Sequence, residues 1–335
     1  MNQRNYTIDL LRGIAAAMVV FFHLNEPIPY IHNFYRSIVK LGHIGVPVFF
    51  VISGYCILLA TRHCKNSLEF ISRRCFRIFP TYWFSLAIVL AVAIFQKLTL
   101  GNNSVAVFPH TISDALKTIF ILTKPFGSTT TINWVYWSLT CELFFYFIIG
   151  LGLLFGSTAQ LFYFIGAISL VSIFIDPNLS AYLFWVPYWH TFALGAGIYY
   201  LHSQKLAYYR LTLLLLIFCL VGLYLFHYKM GYYAYVTATF ASGILIYLSP
   251  YLNQYLNEKV QRLGDLSYSV YLIHVPIGVY LLGLLKNNFI QTHITANILF
   301  DSGVYLIVLY ISYYIYTYIE SPAIIYGKHF IKKRV

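Results

Sequence analysis

Apolar residues in this chain do not alternate with polar ones. They run together in ten stretches, at 8–24, 44–60, 78–96, 134–155, 161–175, 182–201, 211–227, 232–250, 266–285 and 294–319. A helix of about 20 apolar residues spans the hydrocarbon layer, whereas barrel strands would show strict alternation. The pattern predicts an all-α, polytopic membrane bundle of about ten transmembrane helices. The stretches at 161–175 and 211–227 are short, which leaves the count between nine and eleven. No internal repeat points to an inverted-repeat transporter. The chain reads as a single membrane domain over 1–335, with no fused soluble domain and no cleavable signal pattern.

Composition agrees. Sixty per cent of residues are hydrophobic and 10% are charged, against about 25% charged in soluble domains. The 32 Tyr and 28 Phe suit interfacial belts. The net charge of +12 is explained by topology and not by nucleic acid. With the N-terminus inside, fourteen Lys and Arg fall in inner segments and seven in outer ones. Arg36, Lys97, Lys124 and Lys286 are among the outer group, and Lys205, Lys333 and Arg334 among the inner. This bias predicts both termini in the cytoplasm. Cys56, Cys64, Cys75, Cys141 and Cys219 show no paired metal spacing, so neither a zinc site nor a disulfide framework is expected. The outer connection at 97–133 is polar and Thr-rich, suited to covering an outer mouth.

A few polar residues interrupt the apolar runs. Arg12 and His23 lie in the first, and eleven helical steps bring them to within about 20° of one face over a rise of about 16 Å. Asp9 falls on the same stripe. Ionisable residues at such depth are costly and mark functional paths. His23 is a candidate general base; a histidine satisfied by a neighbouring helix or interfacial water is the plainer reading. Glu142, within Trp137-Ser138-Leu139-Thr140-Cys141-Glu142, is expected at a similar depth. There it is a candidate to orient His23, as carboxylates do in hydrolase triads. Arg73, Arg74 and Arg77 precede the third span, where Arg forks suit phosphate. Positive-inside anchoring is the alternative. Gly45, Ser53 and Gly54 suit close helix packing. Tyr271 and His274, the latter just before Pro276, are candidates to line the same cavity. Glu320-Ser321-Pro322 ends the last span, with a snorkelled or Arg-paired carboxylate as the default.

Six segments in this order resemble the acyltransferase-3 family of integral membrane acyltransferases. They are Ile8 to Ala15 with His23, Gly45 to Tyr55, Arg73 to Trp83, Trp137 to Tyr146, Leu266 to Pro276, and Glu320-Ser321-Pro322. Arg12 and His23 match the family's Arg-x10-His pattern. The resemblance implies that His23 is the essential histidine and that Arg12 and the Arg73/Arg74 region are required. It also implies acetyl-CoA or another short acyl-CoA as donor, with no tightly bound cofactor and no metal. The acceptor would be a polyprenol-linked or nascent glycan, such as O-antigen or exopolysaccharide, at a bacterial inner membrane. Two departures stand out. Pro47 occupies a position where many members have an acid, and Glu142 stands alone where many have an acidic pair. The chain looks like the stand-alone type, without the esterase-like domain of larger members.

The expected site thus comprises His23, Glu142 and Arg12 for chemistry, and Arg73, Arg74, Arg77 and Arg12 for the donor. Asp9, Ser53, Trp137, Tyr271 and His274 are further cavity candidates. Direct transfer and an acyl-His23 intermediate both fit this set. A transporter of a lipid-linked sugar or small metabolite would use the same buried charges. A non-catalytic scaffold would leave them without a purpose.

Overall fold

The structure, a computed structural model, describes residues 4–29, 31–101, 108–123, 132–156, 158–203 and 209–332. Lys124, Lys205, Lys333 and Arg334, counted above for orientation, lie outside the described residues, as do parts of the 97–133 connection.

Asparagines start several helices by accepting an otherwise unpaired first-turn amide. Asn5 opens α1 (Tyr6–His23) and Asn33 opens α2 (Phe34–Val39). After α3 (Gly45–Thr61), Asn66 opens α4 (Ser67–Leu100), which is 34 residues long. There follow α5 (Ile112–Ile119), α6 (Trp137–Phe155), α7 (Thr158–Ser172), α8 (Val186–His202) and α9 (Tyr209–Leu223). The chain continues with α10 (Tyr233–Tyr247), α11 (Ser249–Leu252), α12 (Glu258–Ile273, opened by Asn257), α13 (Asn288–Thr292), α14 (Ile294–Ile315) and α15 (Ser321–Lys332).

Every expected span therefore holds a helix. Among the described residues, seven helical segments are long and apolar enough to cross a membrane. The count is eight if Tyr233–Tyr247 and Ser249–Tyr255, bent by 60°, form one span. The difference from ten lies in α7 and α8. Every residue of α8 from Trp189 to Tyr199 is buried, including His190 and Thr191. A helix surrounded by protein does not need the apolar surface that lipid demands.

α3 and α8 cross with backbones in contact. A Cβ at Gly54 would meet the Phe192 carbonyl at 1.9 Å, and one at Gly195 would meet that of Val51 at 2.0 Å. This is the close approach expected of Gly54.

α1 and α12 run side by side in the same direction. Gly264 packs on Asp9 near their starts, and His274 packs on His23 at the other end. At the starting end Arg4 bridges Asp9 at 2.6 Å and Asp265 at 2.5 Å. α15 reaches the same end, where Tyr326 and Phe330 pack on Phe76 of α4. We call this the terminal end and the opposite one the far end.

At the far end Pro276 lacks an amide for the Leu272 carbonyl, and α12 opens into a wider π-type turn over His274–Leu281. The side-chain amide of Asn133 approaches the freed Leu272 carbonyl at 3.5 Å.

Candidate functional site: a cation-lined cavity below a paired histidine

α1, α3, α4, α6 and α12 enclose a cavity of about 250 Å³. Arg12, Arg74 and Arg77 supply its charge, with Glu142 as the lining carboxylate. Ser53, Cys56, Tyr146, Tyr268 and Tyr271 add polar atoms to walls that include Phe49 and Phe50.

The helix geometry decides which arginines face in. Residues 73–77 lie inside α4 and not in a loop before it. Arg74 and Arg77 are three residues apart and share a face; Arg73 is turned about 100° from Arg74. Arg73 instead ion-pairs with Glu69, one turn back on its own helix. The expected three-arginine cluster is thereby divided, with Arg74 and Arg77 in the cavity and Arg73 outside it. Arg74 stacks near Tyr146 and Phe70, at 5.5 and 5.7 Å from their ring centres. Its Nε is buried and, among the described residues, has no hydrogen-bond partner.

Glu142 accepts hydrogen bonds from Ser53 Oγ at 2.8 Å and from the Tyr146 hydroxyl. It is thus anchored among the arginines and not against His23. The residue level with His23 is Trp134, whose ring packs edge-on at 5.8 Å. Glu142 is eight residues further along, about two helical turns deeper.

The carboxylate on His23 is Glu26, one turn along the chain, with His23 Nδ1 at 2.8 Å from Glu26 Oε2. The hydrogen bond from His23 is the largest influence on Glu26 and holds its carboxyl below the usual carboxylate range; burial opposes this, and the charges of His23 and His43 add to it. A carboxylate only accepts, so Nδ1 carries the proton and Nε2 of neutral His23 keeps its lone pair. Glu26 also lines a second pocket of about 210 Å³ at the far end, with Phe22, Asn25, Arg36 and Lys40.

The remaining candidates separate. Ser53 and Tyr271 line the cavity as expected. The Tyr271 hydroxyl donates to the Val135 carbonyl at 3.0 Å and lies 2.5 Å from Ser138 Oγ. Trp137 packs on Phe50 and Tyr188 instead of lining the cavity. Asp9 is absent from the cavity wall and instead bridges Arg4 at the terminal end. His274 stacks beside His23 with ring centres 5.3 Å apart. Glu320 is buried and not snorkelled, accepting from Ser269 Oγ at 2.7 Å.

Sequence reasoning missed Glu26 because it lies just past the end of the first apolar run. The available signal was its i,i+3 spacing from His23. It also missed Asp301, a lone carboxylate inside an apolar span and a mark of buried function or structure.

Comparison with known proteins agrees with the architecture. The family described as "Acyltransferase domain", acyltransferase-3, matches residues 5–317. The chain is 28% identical to the putative membrane-bound transacylase BcsY of Komagataeibacter xylinus, over 96% of this chain and 84% of that one. It is 30% identical to the O-acetyl transferase of Shigella phage Sf6, over 42% and 44% of the two chains. It is 33% identical to the peptidoglycan O-acetyltransferase OatA of Listeria monocytogenes, over 29% and 15%. No solved structure matches. With nearly its whole length matched and a multi-pass helical bundle around a polar cavity, this chain belongs to the acyltransferase-3 family of membrane acyltransferases.

Proposed function

We propose that the protein transfers a short acyl group, acetyl in the first instance, from cytoplasmic acyl-CoA to a sugar hydroxyl of a membrane-presented glycan. O-antigen and exopolysaccharide are the glycan classes in view, and a bacterial inner membrane is the site. The relatives named as O-acetyl transferases support the reaction class. One observation carries the reading. A single helix, α1, presents Arg12 to a cavity of three arginines and ends on His23, whose Nδ1 is committed to Glu26.

In this reading the terminal end is cytoplasmic, and Arg12, Arg74 and Arg77 take the CoA phosphates. Their forks suit phosphate oxygens, and among the described residues none is hydrogen-bonded to a carboxylate. Glu142, fixed by Ser53 and Tyr146, balances part of that charge. The pantetheine arm rises along α1 towards His23. His23 Nε2 removes the proton from the sugar hydroxyl as its oxygen attacks the thioester carbon. The new C–O bond forms, the C–S bond breaks, and the thiolate takes the proton back from the imidazolium. Glu26 stabilises that imidazolium and fixes its tautomer. General-base help of this kind contributes about 10²–10⁴ in rate.

The test uses bacterial cells that express the chain, with mass spectrometry of their surface polysaccharide. A sugar acetyl ester should appear with the wild type and be lost with His23→Ala at equal protein level. Unchanged acetylation in that variant overturns the reading. Labelled acetyl trapped on the protein without acceptor would replace the general-base step by an acyl-His23 intermediate.

A further inference from the structure

His274 stands where α12 opens into its wide turn, and it is fully buried. Its Nδ1 lies 2.7 Å from the Tyr271 carbonyl oxygen. A carbonyl cannot donate, so Nδ1 carries the N–H. The ring is neutral, since a buried cation without a counter-charge is costly. Nε2 therefore bears a lone pair, and among the described residues that atom is buried without a hydrogen-bond partner.

The position of this lone pair is informative. His274 is absent from the wall of the arginine cavity. It sits one turn beyond Tyr271, which lines that cavity, in the layer of His23 and Trp134. His23 in the same layer, in the neutral form that a general base requires, also keeps a lone pair on Nε2, because its Nδ1 donates to Glu26. Neither imidazole has a proton to give the other. A ligand that bonds both must bring two donors of its own. One hydroxyl has a single proton, whereas a sugar with two adjacent hydroxyls brings two.

We propose that His274 binds the acyl acceptor, its Nε2 accepting a hydrogen bond from the hydroxyl next to the one that His23 activates. The acceptor class is then a sugar with a vicinal diol, and the ester forms beside a free hydroxyl. This inference rests on the reading of His23 as the base for glycan acylation.

The test uses the full-length protein in nanodiscs, labelled acetyl-CoA, and a lipid-linked glycan extract from the producing cells. His274→Gln keeps an acceptor oxygen near the place of Nε2, and His274→Phe keeps a ring without one. His274→Phe should lower transfer at limiting acceptor by about tenfold or more, with the KM for acetyl-CoA within about twofold of wild type. His274→Gln should recover most of the loss. NMR of the wild-type product should place the ester on a carbon whose neighbour bears a free hydroxyl.

Wild-type behaviour in His274→Phe overturns the proposal. So does a loss shared by both variants with a raised acetyl-CoA KM, which would move His274 to the pantetheine arm. An ester with no free neighbouring hydroxyl also overturns it, and that readout uses the wild type alone, independent of how the variants fold. A wild type that transfers nothing removes the glycan-acylation reading itself, an outcome distinct from a failure confined to His274.

Discussion

Two clusters of buried charge lie at opposite ends of the bundle, and they are completed differently. At the far end Lys286 donates to Asp301 Oδ1 at 2.7 Å, to the Leu24 carbonyl at 3.0 Å and to Asn25 Oδ1 at 3.2 Å. Asp301 Oδ2 accepts from Asn25 at 2.7 Å and from the Tyr35 hydroxyl at 2.5 Å. Arg36 donates to Asn25 Oδ1 at 3.1 Å and to the carbonyls of Asn25, Ile28 and Pro29. Burial pulls Lys286 below the usual lysine range, against the pull of Asp301. Lys286, Asp301 and Arg36 each meet protein partners there, while among the described residues Oδ1 of Asn297, whose amide donates to Asn25 Oδ1, has none. In the arginine cavity the Nε of Arg74 has no partner among the described residues, and the lining carboxylate Glu142 is held by Ser53 and Tyr146. A buried network whose charges are paired specifies structure, whereas the cavity arginines keep donors that a ligand can use. The far-end network clamps residues 24–29, the segment that carries Glu26, so the cluster holds the partner of His23 in place.

The contrast can be broken most forcefully at the far end. Asp301→Ala strands Lys286 and should cost about 3–5 kcal/mol of stability, read as a lowered thermal midpoint in detergent. Lys286→Met combined with Asp301→Leu should recover much of it; a single variant as stable as wild type would deny the network its structural role. In the cavity, Arg74→Met should raise the KM for acyl-CoA by about ten- to a hundredfold, the worth of about 1.5–3 kcal/mol for bonds to a charged group. Its thermal midpoint should hold or rise, because a buried cation short of partners is removed. Arg73→Met, outside the cavity, is the control and should leave that KM unchanged. Equal KM effects at both positions would erase the division of the cluster.

The smallest effect is expected at half-exposed Glu26. Glu26→Gln weakens a charge-assisted bond to a neutral one, about 1 kcal/mol or roughly fivefold in kcat. The sign of its pH dependence follows from its lowered carboxyl. The stability this confers is present above the ordinary carboxylate range and is lost as pH falls through the folded value. The thermal midpoints of wild type and Glu26→Gln should therefore converge on acidification. Parallel curves would place the His23–Glu26 pair outside the energetics of the fold.

Much of this was legible along the chain. Long apolar runs demand helices, because only internally hydrogen-bonded backbone is tolerated in lipid. The i,i+11 relation of Arg12 and His23 is set by helical pitch; both lie on α1, with Arg12 in the cavity wall and His23 at the helix end. Arg74 and Arg77 were legible as a pair only once their helix was known to begin at Ser67. Glu142 was misplaced against His23 because depth was counted from a span boundary. A shift of two turns moves a carboxylate from the layer of His23 and Trp134 into the arginine cavity.

The amino-acid sequence by itself determined the helical class, the family, and the helix that carries both Arg12 and His23. The helical class and the shared helix follow from local periodicity and the cost of burying polar groups, and the family from the six segments that resemble it. Only the tertiary structure decided which carboxylate meets His23, which arginines face inward, and that His274 stands beside His23 with an unmet lone pair. Those choices depend on helix rotation and relative depth, which are set by contacts between segments far apart in the chain. Gly54 against Phe192, Gly264 against Asp9 and Lys286 against Asn25 are such contacts.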